Sequence, residues 1–198
     1  MSARSGKIEG FKIMKLYHTS DRQIEKPDIY RGRKNADFGQ GFYLTPDRDF
    51  AVRWAREGAV INEYELDLTG LSVHTFSRDQ DWFDYIFKNR RAQDGLEADV
   101  VTGPIANDTI YDTFGITTSG FLSREASLRL LMIGPEYTQT AVKSEKAASQ
   151  LVWLGARKVE DVSRCRKIVK EEEEEFQHLF AEEMEKISGE GSADRSDE

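Results

Sequence analysis

Asp37-Phe38-Gly39-Gln40-Gly41-Phe42-Tyr43-Leu44-Thr45 is a glycine-punctuated turn that runs straight into a short strand. Gly39 and Gly41 flank Gln40, which opens conformations closed to residues with a Cβ. In the strand over 41–45, successive side chains face opposite sides, so Phe42 is expected in the core and Tyr43 on the open side. Upstream, Ile13-Met14-Lys15-Leu16-Tyr17-His18 reads as a first strand, apolar and aromatic-rich, that ends in an imidazole followed by the hydroxyls of Thr19 and Ser20. A histidine and a tyrosine presented on the ends of two strands suit gripping a flat, polar ligand.

Outward from these strands, the pattern alternates short strands with helices. Thr45-Pro46-Asp47 predicts a helix start, with Thr45 as the cap and Pro46 at the first helical position. Phe50, Ala51, Trp54 and Ala55 then form one apolar face, with Trp54 expected in core packing and Gly58 closing the helix. A strand is expected over 59–67, and an amphipathic helix over roughly 78–92 with Trp82, Phe83, Ile86 and Phe87 on its apolar face. Ala98-Asp99-Val100-Val101-Thr102-Gly103-Pro104 reads as a short buried strand stopped by Gly-Pro. A helix over 122–133 has Ser123 as its cap, and a strand covers 138–142. Ser144 is expected to cap a helix holding Ala147, Ala148, Leu151 and Val152. After Gly155 comes a short extended stretch, then a long helix over about 164–187. Its apolar stripe either packs on the domain or docks a partner helix, while Glu171–Glu175 reads as a solvated face. The chain therefore divides into a flexible leader (1–10), a domain (11–162), a C-terminal amphipathic helix (163–188) and a disordered tail (189–198). Strands interleaved with peripheral helices, without a regular βαβ rhythm, predict an α+β fold.

The chain has 198 residues, enough to bury one real core, with 38% hydrophobic residues and a net charge of −8. That charge argues against broad non-specific attraction to nucleic acid or anionic membranes. A local basic cluster of Arg31, Arg33 and Lys34 precedes the glycine turn. The single cysteine, Cys165, excludes an internal disulfide and a cysteine-rich metal site. Met1-Ser2-Ala3-Arg4-Ser5-Gly6-Lys7 lacks the apolar stretch expected of a secretory signal, and no window approaches the roughly 18 apolar residues of a membrane span. A cytoplasmic location is expected, and a route of secretion that needs no signal gives the same pattern.

The three histidines, His18, His74 and His178, lack metal-ligand spacing, so no metal is expected. There is no phosphate loop of the Gly-x-x-x-x-Gly-Lys type, no Gly-x-Ser-x-Gly elbow and no Gly-x-Gly-x-x-Gly.

Tyr-His-Thr-Ser at 17–20 and Gly-Phe-Tyr-Leu-Thr at 41–45 resemble the first two motifs of the ADP-ribosyltransferases of the His-Tyr-Glu group. The fuller Asp-Phe-Gly-x-Gly-Phe-Tyr-Leu-Thr run, followed by Ala51-x-x-Trp54-Ala55, is similar to a bacterial family of that superfamily known only as a domain of unknown function. Residues 101–108 and 139–147 resemble that family's later blocks, so the likeness spans roughly 14–155 in motif order. It implies a split antiparallel β core with peripheral helices, and NAD as a substrate without a metal. By the same likeness His18 holds a ribose hydroxyl, the Thr19 backbone meets the nicotinamide amide, and Tyr43 stacks on the nicotinamide ring. The third motif position falls on Gln139, where much of the superfamily carries Glu. A neutral amide can bond a ribose hydroxyl but cannot act as a general base. Asn35, with Arg31 and Arg33, either touches the diphosphate or adenine end or belongs to a solvated loop, and Asp37 braces the glycine turn. The resemblance implies mono-ADP-ribosyl transfer to a protein, DNA or RNA acceptor by a bacterial toxin or defence effector, with an antitoxin or partner on the C-terminal helix. The alternative is a catalytically silent NAD- or nucleotide-binding module acting through a protein partner.

Overall fold

The computed structural model describes residues 13–91, 95–111, 113–117 and 119–193. The expected leader over 1–10 and the last five residues of the expected tail lie outside them. Two sheets organise the α+β fold. In the first, β1 (Ile13–Ser20), β3 (Val60–Asp67) and β7 (Leu151–Lys158) lie antiparallel in the order β1-β3-β7. The second has the order β2-β6-β5-β4, from β2 (Phe42–Leu44), β6 (Thr138–Val142), β5 (Val100–Pro104) and β4 (Val73–Thr75). Only its β4–β5 pair is parallel.

Strand alternation divides the core. Leu16, Tyr64 and Leu66 from the first sheet meet Phe42, Leu44, Val100 and Val142 from the second. The neighbouring residues Val101 and Ala141 face the opposite way, under α2 (Gln80–Asn89), where Phe38, Trp82, Phe83 and Ile86 are buried. Phe42 and Tyr43 fall on these two opposite sides, as the alternation predicts. Trp82 is fully buried and its indole N–H donates to the Pro104 carbonyl at 2.9 Å, so this large ring leaves no orphan donor.

Helix starts follow side-chain acceptors. Ser123 caps α5 (Arg124–Leu131) and Ser144 caps α6 (Glu145–Ser149), as expected, while Asp79 caps α2. Two expectations are corrected here. The cap of α1 (Arg48–Val52) is Asp47, whose carboxylate accepts the amides of Asp49 and Phe50. Thr45 is still strand-like at that point, bonded to Tyr17. Leu151 and Val152 are not helical either. Gln150 stops α6 by donating its amide to the Asp67 and Thr69 carbonyls, and the Leu-Val-Trp-Leu run then pairs with β3 as β7. Two short helices the sequence did not announce, α3 (Asn107–Tyr111) and α4 (Phe114–Thr117), fill the span after the Gly-Pro block.

The last helix, α7 (Val162–Ala193), runs past Gly189. Part of its apolar stripe is used within the chain, where Phe176 stacks on Tyr111 at 3.9 Å and Phe176 and Phe180 are buried with Leu130, while Ile168 and Leu179 stay exposed. Glu172 corrects the reading of the acidic run as wholly solvated. It accepts Arg53 at 2.6 Å, the Tyr111 hydroxyl at 2.5 Å and the Tyr137 hydroxyl at 2.7 Å. No helix among the described residues is long and apolar enough to cross a membrane.

Burial alone would raise the Glu172 pKa, but the bonds from Arg53, Tyr111 and Tyr137 hold it below the ordinary 4.5. A depressed carboxylate stabilises the fold above its unfolded pKa, and that contribution is lost as pH falls through the folded value. Glu172→Gln is therefore expected to flatten the acid limb of stability below pH 4.5, read by urea unfolding across pH. Trp82→Ala should cost about 3–5 kcal/mol in the same assay.

Candidate functional site

One reciprocal backbone bridge assembles the site. The Tyr17 amide donates to the Thr45 carbonyl at 2.8 Å and the Thr45 amide returns the bond at 3.0 Å, joining β1 to the end of β2. The Thr45 hydroxyl then donates to the Thr138 carbonyl at 2.8 Å, which brings in the start of β6. His18, Tyr43 and Gln139 each stand one or two residues from this junction. All three line one cleft of about 730 Å³, together with Thr19 and Asn35. That volume lies within the range of small-molecule sites.

The glycine turn sets the tyrosine. Gly39 has φ of 77°, a left-handed conformation that suits glycine. Its carbonyl accepts the Tyr43 hydroxyl at 2.7 Å, and the Phe38 amide donates to the same hydroxyl at 2.9 Å. The Tyr43 ring is thus pinned at its far end as well as at its Cα. At Gly41 a Cβ would stand 2.8 Å from the Val142 carbonyl oxygen, so the close approach of β2 to β6 requires glycine there.

His18 is half-buried, with its ring 4.5 Å from that of Phe42. Burial is the larger influence and pushes its pKa below 6.5, against the opposing bond to Tyr43. The ring is neutral at pH 7. Its Nδ1 stands 2.7 Å from the Tyr43 carbonyl, which only accepts, so the proton sits on Nδ1 and Nε2 is left as an acceptor. The Thr19 hydroxyl is committed to the Ala51 carbonyl at 2.5 Å and anchors α1. Its backbone has a different direction. Because Tyr17 turns both backbone groups toward Thr45, strand alternation turns those of Thr19 to the same edge, where β2 diverges from β1.

The floor is charged in a way the sequence did not reveal. Arg90, at the end of α2, sends Nε and Nη2 to Asp37 Oδ1 at 2.9 and 2.6 Å. Its Nη1 reaches Asp108 at 2.5 Å and its Nη2 also reaches Thr109 at 2.7 Å. Burial pulls the guanidinium pKa down, but the two carboxylates outweigh it and raise it above its ordinary value. Asp37 also accepts Gln139 Nε2 at 3.0 Å. It is therefore more than a brace for the turn. Among the described residues no cluster of three His, Cys, Asp or Glu could hold a metal ion.

Trp54 corrects its expected place in the core. After Val52 the chain tightens into bonds from Arg53 to Phe50 and from Ala55 to Val52, which end α1 early. Trp54 is left 49% exposed on the cleft, edge-on to Phe50. Arg33 and Asn35 line the cleft from an exposed loop, whereas Arg31 is not among the lining residues. Nothing local marks Arg90 or Thr109 in the sequence, and Asp108, within the 101–108 block, shows no sign there of its partner. Arg90 lies 53 residues from Asp37 along the chain, Asp108 and Thr109 lie farther still, and only the fold unites them.

Nitrogen-15 NMR of His18 should show the Nδ1–H tautomer at pH 7 and a titration midpoint below 6.5. A midpoint above 6.5 would contradict the dominance of burial over the bond to Tyr43.

No curated protein and no solved structure gives a significant match to the chain. A family model described as protein of unknown function (DUF3990) matches residues 14–153. That span carries every cleft residue named above, and the two-sheet α+β fold is consistent with the ADP-ribosyltransferase superfamily. The chain belongs to the DUF3990 family.

Proposed function

We propose that the cleft binds NAD and transfers its ADP-ribosyl group to a macromolecular acceptor. The observation that carries this reading is the convergence of His18, Tyr43 and Gln139 on one cleft from three different strands. Each offers chemistry that suits the nicotinamide riboside. His18 Nε2 accepts a ribose hydroxyl, its other nitrogen being held by the Tyr43 carbonyl. The Thr19 N–H and C=O together match the acceptor and donor of the nicotinamide carboxamide. Tyr43 offers a fixed aromatic face to the nicotinamide ring. Gln139 accepts from the ribose, and Asn35 and Arg33 on the rim suit the diphosphate.

In the reaction the bond from ribose C1′ to the nicotinamide nitrogen breaks, and its electron pair leaves with neutral nicotinamide. A nucleophilic atom of the acceptor bonds to C1′ and releases its proton. Gln139 positions the ribose in this scheme and takes no proton, so the acceptor supplies its own nucleophilicity. A bacterial toxin or defence effector is the setting that fits such chemistry.

The second reading, a silent NAD-binding module, is favoured by one feature of the same floor. Both carboxylates there are bound to Arg90, so neither stands ready as a general base. Incubation with NAD labelled on its adenylate half, in lysate, distinguishes the two. Transfer predicts nicotinamide release and a labelled macromolecule, with Tyr43→Ala reducing both by at least about tenfold, equivalent to ~1.4 kcal/mol. Saturable binding by calorimetry without turnover supports the silent module. Absence of both binding and turnover would discard NAD as the ligand.

A further inference from the structure

We infer that Asp37 is the positioning residue of the cleft, turning the carbonyl oxygen of Gln139 toward the ligand and barring a carboxylate from position 139. The ligand in this statement rests on the NAD reading, whereas the Asp37–Gln139 geometry stands without it.

An amide side chain presents either a donor or an acceptor, and its neighbours decide which end faces where. Gln139 is buried in β6, with its side chain 3.0 Å from Asp37 Oδ2. A carboxylate oxygen only accepts, so Nε2 must be the end that meets it. Gln139 makes no other side-chain hydrogen bond among the described residues, and it lines the cleft. Oε1 is therefore the end offered to a ligand, as a hydrogen-bond acceptor.

Asp37 can impose this because it cannot itself turn. Its Oδ1 takes the fork of Arg90, its Oδ2 also accepts the Ala106 amide at 3.4 Å, and its backbone carbonyl accepts the Asn89 side chain at 3.0 Å. Arg90 is fixed in turn by Asp108 and Thr109. The chain from α3 through Arg90 and Asp37 to Gln139 holds the amide with side chains that are themselves held.

The same geometry restricts the residue type. A glutamate at position 139 would place a second carboxyl about 3 Å from that of Asp37 in a buried position, where both cannot ionise together. Gln139 is thus not a weakened glutamate. It is the residue that keeps an acceptor oxygen in the cleft while satisfying the aspartate beneath it. The charged groups facing this pair are Arg90 from the end of α2 and Asp108 from α3, with His18 of β1 and Arg33 of the loop also on the cleft.

The test compares the full chain with Gln139→Glu and with Asp37→Asn/Gln139→Glu, each unfolded by urea at intervals from pH 5 to 8. In the single variant, the folded state keeps a proton that an unfolded glutamate, with its pKa near 4.3, has released. Its stability should therefore fall relative to the parent chain as pH rises. In the double variant the introduced asparagine amide donates to the introduced carboxylate, and this pH-dependent deficit should disappear. Carbon-13 NMR of the carboxyl introduced by Gln139→Glu alone gives the same answer should the double variant fail to fold, with a midpoint well above 4.3 expected. Calorimetry with NAD completes the comparison: affinity of the single variant should drop by more than about tenfold between pH 5 and 8, and the double variant should show no such drop. A pH-independent deficit, no relief by Asp37→Asn, or a midpoint of the introduced carboxyl at or below 4.3 would overturn the inference. Failure of the parent chain to bind NAD would instead overturn the ligand assignment, and the unfolding and NMR results would still decide the Asp37–Gln139 pair.

Discussion

The reciprocal bridge between Tyr17 and Thr45 is the constraint on which the site depends, because it fixes where two otherwise separate sheets meet. On one side it sets the end of β1, with His18 and Thr19. On the other it ends β2 just after Tyr43, and the Thr45 hydroxyl carries the junction to Thr138, next to Gln139. The same bridge splits the sheets beyond it, since β1 continues along β3 while β2 continues along β6. That divergence opens the cleft. The Thr19 backbone groups face this opening because β2 diverges from β1 there, so the split that weakens the ladder also leaves an open strand edge on the cleft.

Two polar hubs hold the walls of this opening. Below, Arg90 gathers Asp37, Asp108 and Thr109 at the floor. To the side, Glu172 of α7 gathers Arg53, Tyr111 and Tyr137, tying the final helix to the end of α1. Tyr137 also stacks on Phe50, a lining residue, at 4.3 Å. Each hub is a buried or half-buried charge with several hydrogen-bond partners, an arrangement that is costly to break on one side alone. The cleft walls are consequently braced from two sides.

Legibility in the sequence followed the range of the interaction. Alternation in β2, the serine caps of α5 and α6, and the helical spacing of α2 are local signals, and each reads correctly. Thr45 and Asp47 are both good caps for α1, and only the distant Tyr17 decides that Thr45 stays in the sheet and Asp47 takes the cap. Leu151 keeps helical spacing with Ala147 and Ala148, yet β3, not its own neighbours, makes it a strand residue. Trp54 and Glu172 depart from their expected places for one reason: amphipathic spacing says which residues share a face but not what that face meets. Motif order singles out His18, Tyr43 and Gln139, and these three line one cleft. The role of Arg90 and Asp108 is not legible in the sequence, since it exists only where α2 and α3 converge on Asp37.

The central claim is that this junction is where NAD lands. Titrating unlabelled NAD into nitrogen-15-labelled protein and following backbone amide shifts tests it most directly. Saturable shifts centred on Thr19, Tyr43 and Gln139 are expected, with those on the outer face of the first sheet, such as Lys15 and Glu65, unmoved. Saturable shifts confined to any other surface, or none at millimolar NAD, would contradict it.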